Sequence, residues 1–145
     1  MKNKKLRLGL IGAGKWGKNY IKTIKKSDCF DLVSLSSRNP DIRKTLDSNC
    51  KLFYKWEDLI AYGKIDGLII SSPPSTHFEI ITKALRSQIP IIVEKPLTIN
   101  SLEANQIFKL ANTTLNSPIV LVDHIYLYDP IFRLLEKKSK EYGSL

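Results

Sequence analysis

Cysteine, methionine and long apolar runs are scarce in this 145-residue sequence, which has two cysteines and one methionine. Cys29 and Cys50 do not form a CxxC pair, so the sequence predicts neither a zinc site nor a disulfide framework, and we expect no bound metal. No apolar run approaches the ~18–20 residues of a membrane span, and Leu6–Gly12 is too short for a signal peptide. These absences favour a cytoplasmic protein.

Acidic residues are absent from the first 26 positions, which carry nine Lys and Arg residues. The remaining charges balance, so the net charge of +9 belongs to this N-terminal part. A pI near 9.6 is also typical of nucleic-acid binders. However, aromatic residues do not alternate with these lysines and no nucleic-acid-binding motif is present. The sequence therefore does not favour a nucleic-acid partner.

Short apolar segments rich in β-branched residues alternate with helix-like segments. With 43% apolar and 26% charged residues, this alternation predicts one α/β domain over residues 1–145. We expect a doubly wound, mostly parallel sheet of about six strands with helices on both faces, a Rossmann fold. The predicted strands are Leu6–Ile11, Leu32–Leu35, Leu52–Tyr54, Gly67–Ile70, Ile89–Val93 and Ile119–Val122. The predicted helices are Lys15–Lys26, Asp41–Asn49, Glu57–Tyr62, Thr76–Ser87, Ser101–Asn112 and Pro130–Tyr142.

Polar side chains mark three of the expected helix starts. Thr76 and Glu79 have the spacing of a capping box, which predicts a helix beginning near His77. Asn39 and Asn100 precede two other helices as candidate N-cap residues.

A glycine-rich turn joins the first strand to the first helix, in the pattern Gly12-Ala-Gly14-Lys-Trp-Gly17. A GxGxxG pattern between a strand and a helix is typical of dinucleotide binding. Gly12 permits the tight turn, Gly14 lets the backbone approach a pyrophosphate, and Gly17 lets the helix pack closely on the strand. The N–H groups and the dipole at the helix N-terminus then hold the phosphates.

The same turn nearly matches a second phosphate-binding pattern, the Walker A motif, which would run from Gly12 to Lys18. That motif ends in Ser or Thr, whose hydroxyl binds magnesium, whereas Asn19 occupies the position here. The early Gly14 favours the dinucleotide interpretation.

The second strand ends without the carboxylate that binds the ribose 2′-hydroxyl in NAD-dependent Rossmann folds. Ser37 and Arg38 stand at that position, and a hydroxyl beside a guanidinium suits a 2′-phosphate. The residues therefore favour NADP over NAD as the cofactor.

Three further polar segments follow predicted strands, at the edge of the sheet where ligands bind in α/β folds. They are Ser71–Pro74 with His77, Glu94–Pro96, and Asp123–His124 with Tyr126. Through these segments and the glycine turn, essentially the whole chain resembles the N-terminal domain of the glucose–fructose oxidoreductase/inositol dehydrogenase (Gfo/Idh/MocA) family. The strand-borne Glu-Lys-Pro is the most specific part of the resemblance.

The resemblance implies a role for each segment. The cofactor would be contacted by Gly12, Gly14, Lys15, Trp16 and Gly17, and its adenosine ribose by Ser37 and Arg38. The groove toward the nicotinamide would be lined by Ser71, Ser72, Pro73, Pro74 and His77, with Glu94 and Lys95 beside the ring. Lys95 would bind and polarise the reacting hydroxyl, His124 is the second catalytic candidate, and Pro96 is a candidate for a cis peptide bond. Tyr126, Tyr128, Asp129 and Pro130 resemble the segment that crosses into a second domain.

The activity implied by the resemblance is hydride transfer between a nicotinamide cofactor and a sugar or cyclitol hydroxyl. Family members continue into a second domain that completes the substrate site, and we expect this chain to lack it. A dinucleotide is then the expected ligand, a sugar-like substrate would bind only once that domain is supplied, and assembly with further copies stays open. The alternative is a stand-alone nucleotide-binding regulatory or redox-sensing module.

Overall fold

The computed structural model describes residues 4–113 and 118–143. Six strands form one parallel sheet in the order β3-β2-β1-β4-β5-β6. Their bounds are β1 Leu6–Ile11, β2 Phe30–Ser36, β3 Lys51–Phe53, β4 Gly67–Ile70, β5 Ile91–Glu94 and β6 Val120–Asp123. This order is that of a doubly wound Rossmann sheet, and it confirms the predicted fold class.

The strand order reverses at β1, which pairs with β2 on one side and with β4 on the other. At its carboxyl end, Ile11 lies opposite Ser36 and Ile70. In open α/β sheets, ligands bind just beyond this reversal. The fold therefore predicts a ligand-binding site in the loops that follow β1, β2 and β4.

The described residues contain five α-helices, of which the first four pack on the sheet: α1 Lys15–Lys25, α2 Trp56–Tyr62, α3 His77–Arg86, α4 Ser101–Thr113 and α5 Pro130–Tyr142. Helix α1 packs Ile21 and Ile24 against one face of the sheet. Helices α2, α3 and α4 cover the opposite face. Both faces of the central strands are thus buried, which explains their apolar runs without alternation. None of the helices described is long and apolar enough to span a membrane.

The segment predicted as a helix over Asp41–Asn49 is instead a 3₁₀ helix over Pro40–Thr45. Side-chain hydrogen bonds from Arg43 hold the residues after this 3₁₀ helix in a non-helical conformation. The Arg43 guanidinium donates to the carbonyl oxygens of Ser48, at 3.0 Å, and of Cys50. Residues such as Thr, Asp, Ser and Asn also compete with helical hydrogen bonding. Elsewhere the predicted bounds differ from the observed ones by at most two residues.

The capping predictions have mixed outcomes. The Asn39 side chain accepts from the Asp41 N–H at 3.0 Å, and the Asn100 side chain accepts from the Glu103 N–H at 2.9 Å, as expected. Helix α3 begins at His77, but the capping box at Thr76 does not form. The Thr76 hydroxyl instead donates to the Pro73 carbonyl at 2.8 Å, because a 3₁₀ turn over Pro74–Thr76 leads directly into the helix.

An ion pair ties the start of β1 to the residue before β4. The Arg7 guanidinium donates to both carboxylate oxygens of Asp66, at 2.8 and 3.1 Å, and the Arg7 N–H also donates to Asp66 at 2.8 Å. The hydrogen bonds from the Arg7 side chain and backbone lower the pKa of Asp66 from 3.8 to about 2. Both side chains are partly exposed, so the pair adds little stability.

Replacing Asp66→Asn should lower the melting temperature by no more than a few degrees at pH 7. Since the folded-state pKa of Asp66 lies below its ordinary value, the ion pair stabilises fully above about pH 4, and this contribution is lost as the pH falls through about 2. The difference between wild type and variant, followed by thermal unfolding against pH, should therefore be constant above about pH 4 and shrink steadily as the pH falls through 2. In an Arg7→Leu background the same substitution should have almost no effect, and a difference that does not shrink between pH 4 and pH 2 would contradict this account.

Candidate functional site

A cleft of about 850 Å³ opens at the carboxyl ends of the strands, at the point where the strand order reverses. Loops from five strand ends contribute to its walls, namely those after β1, β2, β3, β4 and β5. The predicted site residues that line it are Gly12, Gly14, Lys15, Trp16, Ser37, Arg38, Ser71, Ser72, Pro73, Pro74, Glu94 and Lys95. The sheet therefore brings together segments that are more than 80 residues apart in the sequence.

The glycine turn after β1 has no room for side chains at two positions. Gly12 has a φ of +96°, and a Cβ there would lie 2.6 Å from the backbone of Ser71. A Cβ on Gly17 would lie 2.2 Å from the Gly12 carbonyl oxygen. These contacts confirm the tight turn at Gly12 and the close packing of α1 at Gly17.

Gly14 differs from these two glycines, because a Cβ on it would meet nothing within 4 Å. It lines the cleft and precedes α1 as the N-cap residue, without a side-chain cap. The first N–H groups of a helix have no partner within the helix, and the dipole makes this end positive. With no acidic residue in the first turn of α1, an anion can approach these N–H groups closely.

The loop after β4 is held against the glycine turn. Ser71 donates its N–H to the Ile11 carbonyl at 2.8 Å and its hydroxyl to the Gly12 carbonyl at 2.9 Å. The next residues, Ser72, Pro73 and Pro74, continue along the cleft wall. This network fixes the distance between the two loops that would flank a bound ligand.

His77 does not line the cleft, contrary to its predicted role as a cofactor contact. Its side chain is fully buried behind the wall, with Nε2 2.9 Å from the Ser72 carbonyl oxygen and Nδ1 3.0 Å from the Pro96 carbonyl oxygen. The imidazole thus links the loop after β4 to the loop after β5. Its place at the first turn of α3 turns it toward these carbonyl groups and away from the ligand side.

The end of β2 presents a hydroxyl and a guanidinium, as predicted. The Ser37 hydroxyl oxygen accepts from the Asn39 N–H at 3.1 Å, which leaves its proton available for donation. Arg38 is exposed beside it in the cleft wall. The lining here contains no carboxylate from β2.

Sequence reasoning missed the wall contributed by the loop after β3, where Tyr54, Lys55, Trp56 and Glu57 line the cleft beside Arg38. The signal that could have found them is their position at the carboxyl end of a strand next to β2. They add two aromatic rings and a cation to the side of the cleft nearest β2.

The loop after β5 carries Glu94 and Lys95 into the cleft, and the Lys95–Pro96 peptide bond is cis, as the sequence suggested. Glu94 is nearly buried, while Lys95 is exposed. Two residues without a predicted role accompany Glu94. The Tyr20 hydroxyl lies 3.2 Å from the carboxylate of Glu94 and donates to Asp123. Burial, together with the hydrogen bond to Asp123 and the charge of Glu94, raises the pKa of the Tyr20 hydroxyl.

His124 is exposed after the end of β6 and is not among the residues that line the cleft, and its catalytic role stays a prediction. Tyr126 and Tyr128 are also exposed and away from the lining, in a 3₁₀ helix over Ile125–Tyr128. Asn19, the last position of the near-Walker pattern, is exposed on α1 and does not line the cleft either.

The charge of the cleft favours an anionic ligand. Its lining includes the cations Lys15, Arg38, Lys55 and Lys95 against the carboxylates Glu57 and Glu94. Within residues 4–113 and 118–143, no group of three or more His, Cys, Asp or Glu side chains is arranged to hold a metal ion. The lining thus offers the N–H groups at the start of α1 and three exposed amines, on Lys15, Lys55 and Lys95.

The model of the oxidoreductase family with an NAD-binding Rossmann fold, GFO_IDH_MocA, matches residues 6–124. An inositol 2-dehydrogenase from Corynebacterium glutamicum is 30% identical over 150 aligned positions, which include 99% of this chain and 44% of that protein. The chain therefore spans less than half the length of this relative.

Solved structures give the same relationship. A candidate oxidoreductase from Magnetospirillum magnetotacticum superposes with a TM-score of 0.84 at 36% identity, covering 92% of this chain and 43% of the other. The scyllo-inositol dehydrogenase of Lactobacillus casei, solved with NAD(H) and scyllo-inositol, has a TM-score of 0.83 at 22% identity and covers 92% and 40%, respectively. At that identity the second structure supports the fold alone.

The contrast between Gly14 and Gly17 predicts different outcomes for two matched substitutions. Gly17→Ala should lower the free energy of unfolding by roughly 2 kcal/mol or more, since its Cβ would collide with the backbone of the turn. Gly14→Ala should cost less, about 0.5–1 kcal/mol, because a Cβ there meets no atom and the loss is only that of a poorer N-cap residue. Urea unfolding measures both. Equal losses from the two variants would contradict the packing described here.

Proposed function

The chain belongs to the Gfo/Idh/MocA oxidoreductase family as its NAD-binding Rossmann domain, and we propose that it holds a nicotinamide cofactor for hydride transfer to or from a sugar or cyclitol hydroxyl. The observation that carries the proposal is the turn from Gly12 to Gly17. Its backbone is packed too tightly for a side chain at Gly12 and at Gly17, but there is open space at Gly14. Such a turn lets a pyrophosphate reach the helix N-terminus without meeting a side chain.

The residues of the cleft fit a dinucleotide along its whole length. Backbone N–H groups at the start of α1 would hold the pyrophosphate, with Lys15 beside it. The adenosine would lie toward Ser37, Arg38 and Tyr54, and the nicotinamide toward Ser72 and Glu94. When bound, the nicotinamide ring supplies the site that accepts or gives the hydride. Lys95 is the residue of this chain that we propose to bind and polarise the reacting hydroxyl.

NADP is the form of cofactor that we propose for the β2 side of the cleft. A 2′-phosphate offers only acceptors, and Ser37, Arg38 and Lys55 offer donors. A free 2′-hydroxyl needs an acceptor for its proton, and β2 ends without a carboxylate. The family model itself supports the broader statement of NAD binding.

A further domain, of the kind that the longer relatives carry, is the proposed source of the substrate site. Helix α5 supports this, because none of its residues is buried and the apolar side chains of Ile131, Leu134 and Leu135 are exposed. The apolar residues Ile125 and Leu127 are exposed in the adjoining segment. An apolar surface of this kind is typical of one that another domain covers. The two free cysteines accord with the cytoplasmic location that forms part of this proposal.

Cofactor binding can be measured by the quenching of tryptophan fluorescence, since Trp16 and Trp56 both line the cleft. NADPH and NADH titrated in parallel should both bind, with NADPH tighter by about tenfold, the equivalent of one or two charge-assisted hydrogen bonds. Arg38→Ala should remove most of this preference and leave NADH affinity within about threefold of wild type. Failure of both dinucleotides to bind at millimolar concentration would overturn the proposal. An unchanged preference in the variant would overturn the role of Arg38.

A turnover assay distinguishes a chain that only binds the cofactor from one that is a complete enzyme. With NADP or NAD and a cyclitol such as myo-inositol, this chain should bind cofactor but produce no absorbance change at 340 nm, because hydride transfer needs both reactants held in place. Fusion to the second half of a relative should restore turnover if the domain is the missing part. Continued inactivity of a folded, cofactor-binding fusion would favour the stand-alone module, and turnover by the single chain would disprove the need for a further domain.

A further inference from the structure

The imidazole of His77 is fully buried between two loops of the cleft wall. Its Nε2 is 2.9 Å from the Ser72 carbonyl oxygen, and its Nδ1 is 3.0 Å from the Pro96 carbonyl oxygen. Both distances are those of ordinary hydrogen bonds. The ring is therefore the direct link between the loop after β4 and the loop after β5.

A neutral imidazole cannot donate to both of these oxygens. It has one N–H donor and one acceptor nitrogen, whereas a carbonyl oxygen is only an acceptor. In the neutral ring, one nitrogen would face a carbonyl oxygen with no proton between them. The imidazolium has a proton on each nitrogen, so only the doubly protonated ring of His77 makes both contacts as hydrogen bonds.

The polar partners of this ring are the two carbonyl groups and not a carboxylate. Helices α2, α3 and α4 follow the parallel strands β3, β4 and β5, so they begin at the same edge of the sheet as His77. The charged residues in their first turns and at the end of β5 are Glu57, Asp58, Glu79, Glu103, Glu94 and Lys95. Within residues 4–113 and 118–143, no ion pair or hydrogen bond joins His77 to any of them.

A buried charge is costly unless its donors are hydrogen-bonded. The doubly protonated ring is consequently stable only while both loops lie against it, and loss of one proton removes one of the two links. Ser72 and Lys95, which precedes Pro96, both line the cleft. The number of protons on His77 thus affects how firmly two parts of the lining are held at a fixed distance from each other.

We propose that His77 is a positioning residue that holds the two loops together only when both ring nitrogens are protonated, so that dinucleotide binding is coupled to proton uptake by His77. The inference rests on the proposed function, because the dinucleotide is the ligand proposed for this cleft. A ligand that needs both loops in place binds more tightly to the doubly protonated form, and by linkage its binding increases the fraction of rings that carry two protons. One hydrogen bond corresponds to about a fivefold difference in affinity.

The test is isothermal titration calorimetry of NAD binding to the whole chain between pH 5.5 and pH 8.5. NAD is the probe because it lacks a 2′-phosphate, a group that itself titrates in this range. The affinity of the wild type should fall by about fivefold as the pH rises across the range. At intermediate pH, the heat of binding should change with the ionisation enthalpy of the buffer, and a fivefold coupling gives an uptake of at most about 0.4 proton per NAD.

His77→Gln replaces the imidazole with an amide that can donate to a carbonyl oxygen but does not titrate. The variant should bind NAD about fivefold more weakly than the wild type at pH 5.5 and with similar affinity at pH 8.5. Its heat of binding should be the same in all buffers. In the matched variant His124→Gln, which removes the other of the two histidines, the dependence on pH and buffer should persist.

NMR of the ring nitrogens in the His124→Gln variant observes the protons of His77 directly, because His77 is then the single histidine of the chain. With NAD bound at pH 5.5, both ¹⁵N shifts should be those of protonated nitrogens. As the pH rises, one nitrogen should lose its proton, and this loss should occur at a higher pH with NAD than without it.

The outcomes separate this inference from the proposed function. If NAD binds with the same affinity at both ends of the pH range, or if one nitrogen of His77 is unprotonated at pH 5.5 with NAD bound, the inference is wrong while cofactor binding stands. An equal pH dependence in His77→Gln would assign it to another group and also overturn the inference. If neither NAD nor NADP binds the wild type at millimolar concentration, the proposed function fails and the inference fails with it. Should His77→Gln not fold, as judged by circular dichroism, the NMR titration of His124→Gln decides alone.

Discussion

The contact between Gly17 and the Gly12 carbonyl is the constraint on which the rest of the site depends. The chain leaves β1, reverses within a few residues and enters α1 so closely that a Cβ on Gly17 would lie 2.2 Å from the carbonyl oxygen of Gly12. This approach sets the height of α1 above the sheet. It leaves the helix N-terminus at the carboxyl edge of β1, where the N–H groups of the first turn face the cleft. A larger residue would tilt the helix and move those donors away from any phosphate.

The same placement of α1 determines what its second turn can reach. Tyr20 follows Gly17 by three residues and projects toward the ends of β5 and β6, where it meets Glu94 and Asp123. His77 makes a comparable link behind the opposite wall, between the Ser72 and Pro96 carbonyl groups. Tyr20 and His77 thus connect the segments that form the walls of the cleft. Neither residue needs to touch a ligand to affect how a ligand fits.

Much of this arrangement could be predicted from the sequence, for reasons that differ between residues. The glycine turn could be predicted because its function depends on residues that are close in the sequence: a strand, a tight turn and a helix follow one another within a dozen residues. Glu94 and Lys95 could be placed because buried parallel strands end at a common edge. Side-chain interactions between residues far apart in the sequence could not be predicted in this way. The Tyr20–Asp123 hydrogen bond joins residues 103 positions apart. His77 carries the same local pattern whether its ring faces the cleft or the interior.

The N-terminal charge has a narrower role than its size suggests. Lys18, Lys22 and Lys25 are exposed on α1, and the amine of Lys25 pairs with Asp47 at 2.9 Å. Such side chains raise the local potential and favour the approach of any anion, but their effect is screened over about a Debye length. They do not tell a dinucleotide from another polyanion. That distinction needs donors at fixed positions, a role that the proposed function gives to the backbone at Gly14 and to the side chains of Ser37 and Arg38. On this proposal, charge at the surface attracts an anion, and the fixed donors inside the cleft select the dinucleotide.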